Sequence, residues 1–218
     1  MSSPEQDLLK MLDSIENSLT LLFSSRFFYR EFVEIINANP KLRRGNHFLT
    51  WIANNYLFSA SMSLRRLLDR RRDTNSLVQL INALKRDKYL LSREIYIRKF
   101  IEGSGFTERD ANYFFDLIAG VGTNDYDIGR IDDEMKKIEE NWDRLKSYID
   151  ERIAHESRNL SSDLPTVSDL DECIDKLGEI TKPIIEVLVC KSISSYTPDI
   201  QYPWREVFSF PWIQQTET

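Results

Sequence analysis

The sequence predicts an all-α fold: a helical bundle with a short helical insert and an extended aromatic tail. Apolar residues recur at spacings of three and four over long stretches, as one face of an α-helix requires. Alternating β-branched runs are few. Seven glycines and seven prolines in 218 residues are too few to turn a many-stranded sandwich or barrel about every 8–12 positions. With 41% hydrophobic residues the chain can bury a core without disulfides or metals.

The first helix is expected from Pro4 to about Asn37, because Leu8, Leu12, Ile15, Leu19 and Leu22, then Phe28, Phe32, Ile35 and Ile36, recur at helical spacing. Pro4 is tolerated in a first turn, and Asn39-Pro40 stops the run. A second helix follows from His47 to about Arg70, with Asn46 as its N-cap. Its stripe is expected to include Trp51, Leu57 or Phe58, Met62, Arg65 and Asp69, so polar residues replace apolar ones toward its end. Ala53, Ser59, Ala60, Ser61 and Ser63 allow a neighbouring helix to approach closely.

Asp73-Thr74-Asn75-Ser76 is a capping cluster for a short helix from Leu77 to Lys85. Another starts at Ser92, carries Ile95, Ile97 or Arg98, Phe100 and Ile101, and ends at Gly103-Ser104-Gly105. Thr107 caps a third, Glu108 to about Ile118, with Phe114, Phe115 and Leu117. Gly120-Val121-Gly122 is a connector: no strand precedes it and no Gly-Lys-Ser/Thr follows, so it lacks the signature of a phosphate loop. The longest pattern runs from about Ile128 to Ser157, with Ile131, Met135, Ile138, Trp142, Leu145 and Ile149. At about 1.5 Å per residue it would span some 45 Å, enough for the spine of a bundle. A last helix, Thr166 to about Ser192, holds Leu170, Ile174, Leu177, Ile180, Ile184 or Ile185 and Leu188, with Pro183 inside it. Residues 1–195 form the predicted helical domain. Residues 196–218, where Tyr196, Tyr202, Trp204, Phe208, Phe210 and Trp212 mix with three prolines, form an extended tail that packs on the bundle or on a second copy.

Cys173 and Cys190 fall in one predicted helix roughly 25 Å apart and cannot bridge each other. The N-terminus has no basic stretch leading into an apolar one, and no apolar run approaches the roughly 20 residues that span a bilayer. A cytoplasmic protein without membrane contact is expected. The net charge of −6 argues against binding nucleic acid over the whole surface, although Arg65, Arg66, Arg70, Arg71 and Arg72 crowd into one short run. No His-Glu-x-x-His, Cys-x-x-Cys or Gly-x-Ser-x-Gly is present, and neither metal nor cofactor is expected.

The C-terminal part of the longest pattern carries the candidate chemistry. Tyr148, Arg152, His155 and Asn159 lie three and four apart, forming a polar strip beside Leu145, Ile149 and Ile153. Arg152 and His155 there read either as a boundary ion pair with a satisfied histidine or as a functional site.

Two stretches together resemble a known family. Ser63-Leu-Arg-Arg-Leu-Leu-Asp-Arg-Arg-Arg-Asp-Thr-Asn-Ser76-Leu77, with Asp150-Glu-Arg-Ile-Ala-His155 far downstream, is similar to the HEPN superfamily, in its abortive-infection AbiU-like branch. The resemblance covers roughly residues 5–195. It implies a dimerising helical bundle and an RNA-associated protein of the phage-defence or toxin–antitoxin kind. Many members of the family are metal-independent endoribonucleases that use an Arg, four to six intervening residues and a His. His155 matches that histidine. The positions where the arginine would stand are Asp150, Ile149 and Tyr148, so this chain departs from the family pattern there. Three functions follow from the resemblance: an endoribonuclease, a catalytically degenerate module binding RNA or nucleotide, and a protein-interaction component with a cognate antitoxin or other partner. The residues implicated are His155 and Arg152 for catalysis, with Arg65, Arg66, Asp69, Tyr148 and Asp150 binding or supporting. Asp69 is expected to reach Arg152 across the bundle, and a homodimer to bring two such sites into one cleft.

Overall fold

The computed structural model describes residues 4–42, 47–149, 166–197 and 199–210. Its helices are α1 (Pro4–Ala38), α2 (His47–Leu67), α3 (Leu77–Arg86), α4 (Arg93–Ser104), α5 (Glu108–Ala119), α6 (Arg130–Ile149) and α7 (Val167–Val189), with short 3-10 helices at Lys88–Leu91 and Trp204–Ser209. Among the described residues there is no strand, only an isolated bridge between Ser92 and Asp125. No described helix is long and apolar enough to cross a membrane.

Helices α1, α2, α6 and α7 make the bundle. The first packs on α2 and α7, and α6 packs on α7 and α2. Core residues follow helical spacing: Leu12, Ile15, Leu19 and Leu22 on α1; Ile131, Met135, Ile138, Trp142 and Leu145 on α6; Leu170, Ile174, Leu177 and Ile184 on α7. The short helices pack around this frame, α3 against α1 and the α4–α5 pair against α7. Their starts are fixed chemically. Ser76, Ser92, Thr107 and Thr166 each accept a backbone N–H of the first turn they cap. For Thr107 and Thr166 the third residue, Asp110 or Asp169, completes a capping box.

Three expectations need correction. The stripe of α2 faces the other way: Trp51, Phe58 and Met62 are exposed, while Tyr56, Ala60, Ser61, Leu64 and Leu67 are buried. Close packing of helices favours small side chains at the crossing, and the Ala60–Ser61 face satisfies that where a row of large rings does not. On α5, Phe115 is buried but Phe114 and Leu117 are exposed. The tail is not wholly extended, because Trp204–Ser209 winds into a 3-10 helix. Pro203 precedes it, with φ fixed and no donor to lose, and its carbonyl accepts the Glu206 N–H at 2.9 Å.

The tail packs on its own bundle. Trp204 meets Phe27 and Phe28 edge-on, Phe208 lies against Phe32, and Tyr196 against Phe23. Arg205 pairs with Glu31. On the α1–α7 seam, buried Arg26 pairs with Asp175 at 2.6 Å, donates to the Asp171 carbonyl at 3.1 Å and lies over the Phe23 ring. Arg30 pairs with Asp171 at 2.7 Å. Neither cysteine is in a disulfide: Cys173 is buried inside α7 and Cys190 stands just past its end in a left-handed conformation.

Candidate nucleic-acid interface

The arginine motif occupies the last turn of α2 and the connection to α3, and its polar residues build that connection. Asp69 accepts the Arg71 backbone N–H at 2.9 Å and its Nε at 3.0 Å. Thr74 donates to the Arg71 carbonyl at 2.8 Å. The buried Ser76 hydroxyl donates to the Asp69 carbonyl and accepts the Gln79 N–H at 3.2 Å, so one side chain both closes the connection and caps α3. Gln79 in turn donates to the Arg70 carbonyl at 2.8 Å. Short polar side chains bonding to nearby backbone are what Asp, Thr and Ser do best.

This connection faces α6 across a cleft of about 700 Å³ lined by Arg65, Leu68, Asp69, Arg70, Arg71, Glu139, Trp142, Asp143 and Lys146. Buried Leu68 and Trp142 form its apolar floor. Arg70 spans it to Glu139 at 2.5 Å. The Arg71 guanidinium holds the Asp69 carboxyl below the usual carboxylate range. These two ion pairs offset four of the seven charges. Among the described residues Arg65 and Lys146 make no ion pair, so beside the Asp143 carboxylate the cleft presents two cations with fixed apolar surface between them. A second cleft of about 370 Å³ borders the same connection. It shares Arg65, Asp69 and Arg71 and adds Met62, Arg66, Thr74 and Asn75. Arg66 also donates to Ser14 on α1 at 3.3 Å.

Of the residues singled out in the sequence, Arg65 and Asp69 converge in both clefts and Arg66 in the smaller one. Tyr148 belongs to α6, its side chain lying outside what is described. Asp150, Arg152 and His155 lie outside the described residues, as does the expected reach of Asp69 to Arg152. The described partner of Asp69 is Arg71, two residues on. Sequence reasoning missed Glu139, Trp142, Asp143 and Lys146, although their spacing of three, one and three marks a single helix face.

The model of the HEPN group described as AbiU2 matches residues 5–201. The chain belongs to the AbiU2 family of HEPN proteins. No curated protein and no solved structure matches it. Within this AbiU2-family fold, no three His, Cys, Asp or Glu side chains converge as a metal site among the described residues. An apolar groove of about 570 Å³ between α4, α5 and α7 holds Cys190. Burial pushes that thiol up to about 11, so it stays protonated at neutral pH and is a poor nucleophile.

Proposed function

We propose that this AbiU2-family protein is an RNA-associated protein of the phage-defence or toxin–antitoxin kind, acting in the cytoplasm as a homodimer, with RNA phosphates held in the Arg65–Lys146 cleft. The carrying observation is the cleft itself. The arginine motif and α6 come from distant parts of the chain and enclose one recess lined by four cations and three carboxylates, with Arg65 and Lys146 outside its ion pairs, and in sequence Arg152 and His155 follow Lys146 by six and nine residues. Cations set around a recess suit a polyanion.

For the endoribonuclease reading, the neutral imidazole of His155 takes the proton of a ribose 2′-hydroxyl. The 2′-oxygen then attacks the adjacent phosphorus. The 5′-oxygen of the next nucleotide leaves with the proton that the His155 imidazolium returns, yielding a 2′,3′-cyclic phosphate, while Arg152 offsets charge on the phosphorane. A second reading, a module that binds RNA without cutting it, is favoured by one observation: Asp150, Ile149 and Tyr148 stand where the family's arginine would be.

The test compares wild type, Arg152→Ala and His155→Ala on mixed cellular RNA in EDTA, with RNA binding measured across a salt series. EDTA-resistant cleavage lost in His155→Ala supports the nuclease. Salt-sensitive binding without cleavage supports the module. Absence of both refutes the RNA reading and leaves a protein partner such as an antitoxin.

A further inference from the structure

The chain is acidic overall, yet between Glu34 and Asp69 it contains no Asp or Glu, while Lys41, Arg43, Arg44, Arg65 and Arg66 all fall there. Helix α2 lies within this stretch. On its outward face Phe48, Trp51, Asn55, Phe58 and Met62 follow one another at steps of three and four, with Arg65 one step further. The four apolar side chains are 53%, 59%, 48% and 44% exposed. Large rings left half in water along one continuous stripe mark an interaction surface. The stripe spans roughly 26 Å from Phe48 to Arg65 at the helical rise.

We propose that this face of α2 is a stacking platform for single-stranded RNA, which leads the strand from Phe48 to the arginines of the cleft. The proposal rests on the RNA reading above and names how the substrate is held. The Phe48 and Trp51 rings already lie nearly parallel, 5.9 Å apart and 18° between planes. Such flat surfaces accept any base, because every base has a π face. At the far end Met62, Arg65 and Arg66 line the smaller cleft, and Arg65 is shared with the larger one. Stacking surface and phosphate-binding cations therefore form one track along one helix. A second copy of this chain is the poorer occupant. Lys41 precedes the stripe, Arg65 and Arg66 end it, and the stretch has no acid, so two α2 faces laid together in either sense set cation against cation. A polyanion complements both ends.

The test uses the full-length protein and a fluorescein-labelled single-stranded uridine 20-mer, with anisotropy giving affinity and circular dichroism checking the fold. Trp51→Ala and Phe58→Ala should each weaken binding by roughly 5- to 100-fold, the loss of one stacked base. Trp51→Tyr should retain most of the affinity, duplex RNA should bind less well, and Trp51 fluorescence should be quenched on binding. Unchanged affinity in both alanine variants, with loss in Arg65→Glu, overturns the platform and leaves the cleft reading standing. No binding by wild type overturns both. If poly-L-glutamate displaces the 20-mer as well as unlabelled RNA does, the surface reads charge alone and the platform is refuted. A change of oligomeric state in Trp51→Ala by light scattering would instead make the stripe an interface between copies.

Discussion

Replacing Gly178 by alanine tests how closely α1 and α7 must approach. Gly178 lies inside α7 and is buried. A Cβ there would stand 2.8 Å from Cζ of Phe23 and 3.4 Å from Cδ2 of Tyr196. Ordinary carbon contacts begin near 3.5 Å, so the Phe23 ring must move by more than half an ångström. It has little room. Phe23 is 8% exposed, carries the Arg26 guanidinium over its face at 4.7 Å and touches the Tyr196 ring at 5.3 Å. Overpacking of this kind costs about 1–3 kcal/mol, while alanine gains about 1 kcal/mol over glycine in helix propensity. A net loss of up to about 2 kcal/mol is expected, or a Tm lower by up to about 8 °C for a chain of this size. Thermal unfolding followed by circular dichroism measures it. In a Phe23→Leu background the same change should become neutral or stabilising, a coupling that a double-mutant cycle resolves. A higher Tm for Gly178→Ala in the wild-type background would refute the close-approach argument.

Three further outcomes follow from the same seam, from the surface carboxylates and from two buried tyrosines. Arg26→Met keeps the apolar stem but removes a charge-assisted bond to a backbone carbonyl and the pair to Asp175, whose side chain is 55% exposed and can rehydrate. The loss should be about 2 kcal/mol by chemical denaturation, and a loss below about 0.5 kcal/mol would class the pair with ordinary surface bridges. The carboxyls of Glu5, Asp69, Asp110 and Asp116 are held below their ordinary values by Lys99, Arg71, Thr107 and Arg93 respectively. Their stabilisation is complete above the unfolded values of 4.5 and 3.8 and is lost as pH falls through the folded ones, because the unfolded chain takes up protons first. Tm should therefore hold from about pH 5 to 8 and fall steadily below pH 4, and a Tm that rises on acidification would contradict the assignment. At the alkaline end the sign reverses. Burial pushes Tyr96 and Tyr126 up to about 12, so their protonated forms stabilise the fold below pH 10 and that contribution disappears as pH rises further.

What the sequence disclosed depended on whether the deciding interaction was local. Helix starts at Ser76, Ser92, Thr107 and Thr166 were legible because a cap is made within three residues. The α6 stripe was legible because one face is apolar and the other charged. Helix α2 was not, since it has two plausible faces: a row of large rings, and a row holding Ala60 and Ser61. Side-chain size favours the first. Close packing selected the second, which is buried at 1% for Ala60 and 3% for Ser61. The small residues Ala60 and Ser61 marked that approach in the sequence, but the choice between the two faces is made by the neighbouring helix. The same limit applies to Arg70 and Glu139, whose pairing spans 69 residues.

Asp69 shows how local bonding shapes the candidate interface. An aspartate just past a helix end can accept the N–H two residues on with little loss of chain entropy. Asp69 does so and holds Arg71 by backbone and side chain together. Glu139 is engaged by Arg70. The arginine run therefore divides its labour: Arg70 and Arg71 fix the wall of the cleft. Arg65, with Lys146 and Asp143 across the cleft on α6, makes no ion pair among the described residues. A ligand that offers phosphates to Arg65 and unstacked bases to Trp51 and Phe58 would meet both kinds of surface on one helix, which is why those three positions, rather than the denser cluster at Arg70–Arg72, are the ones to substitute first.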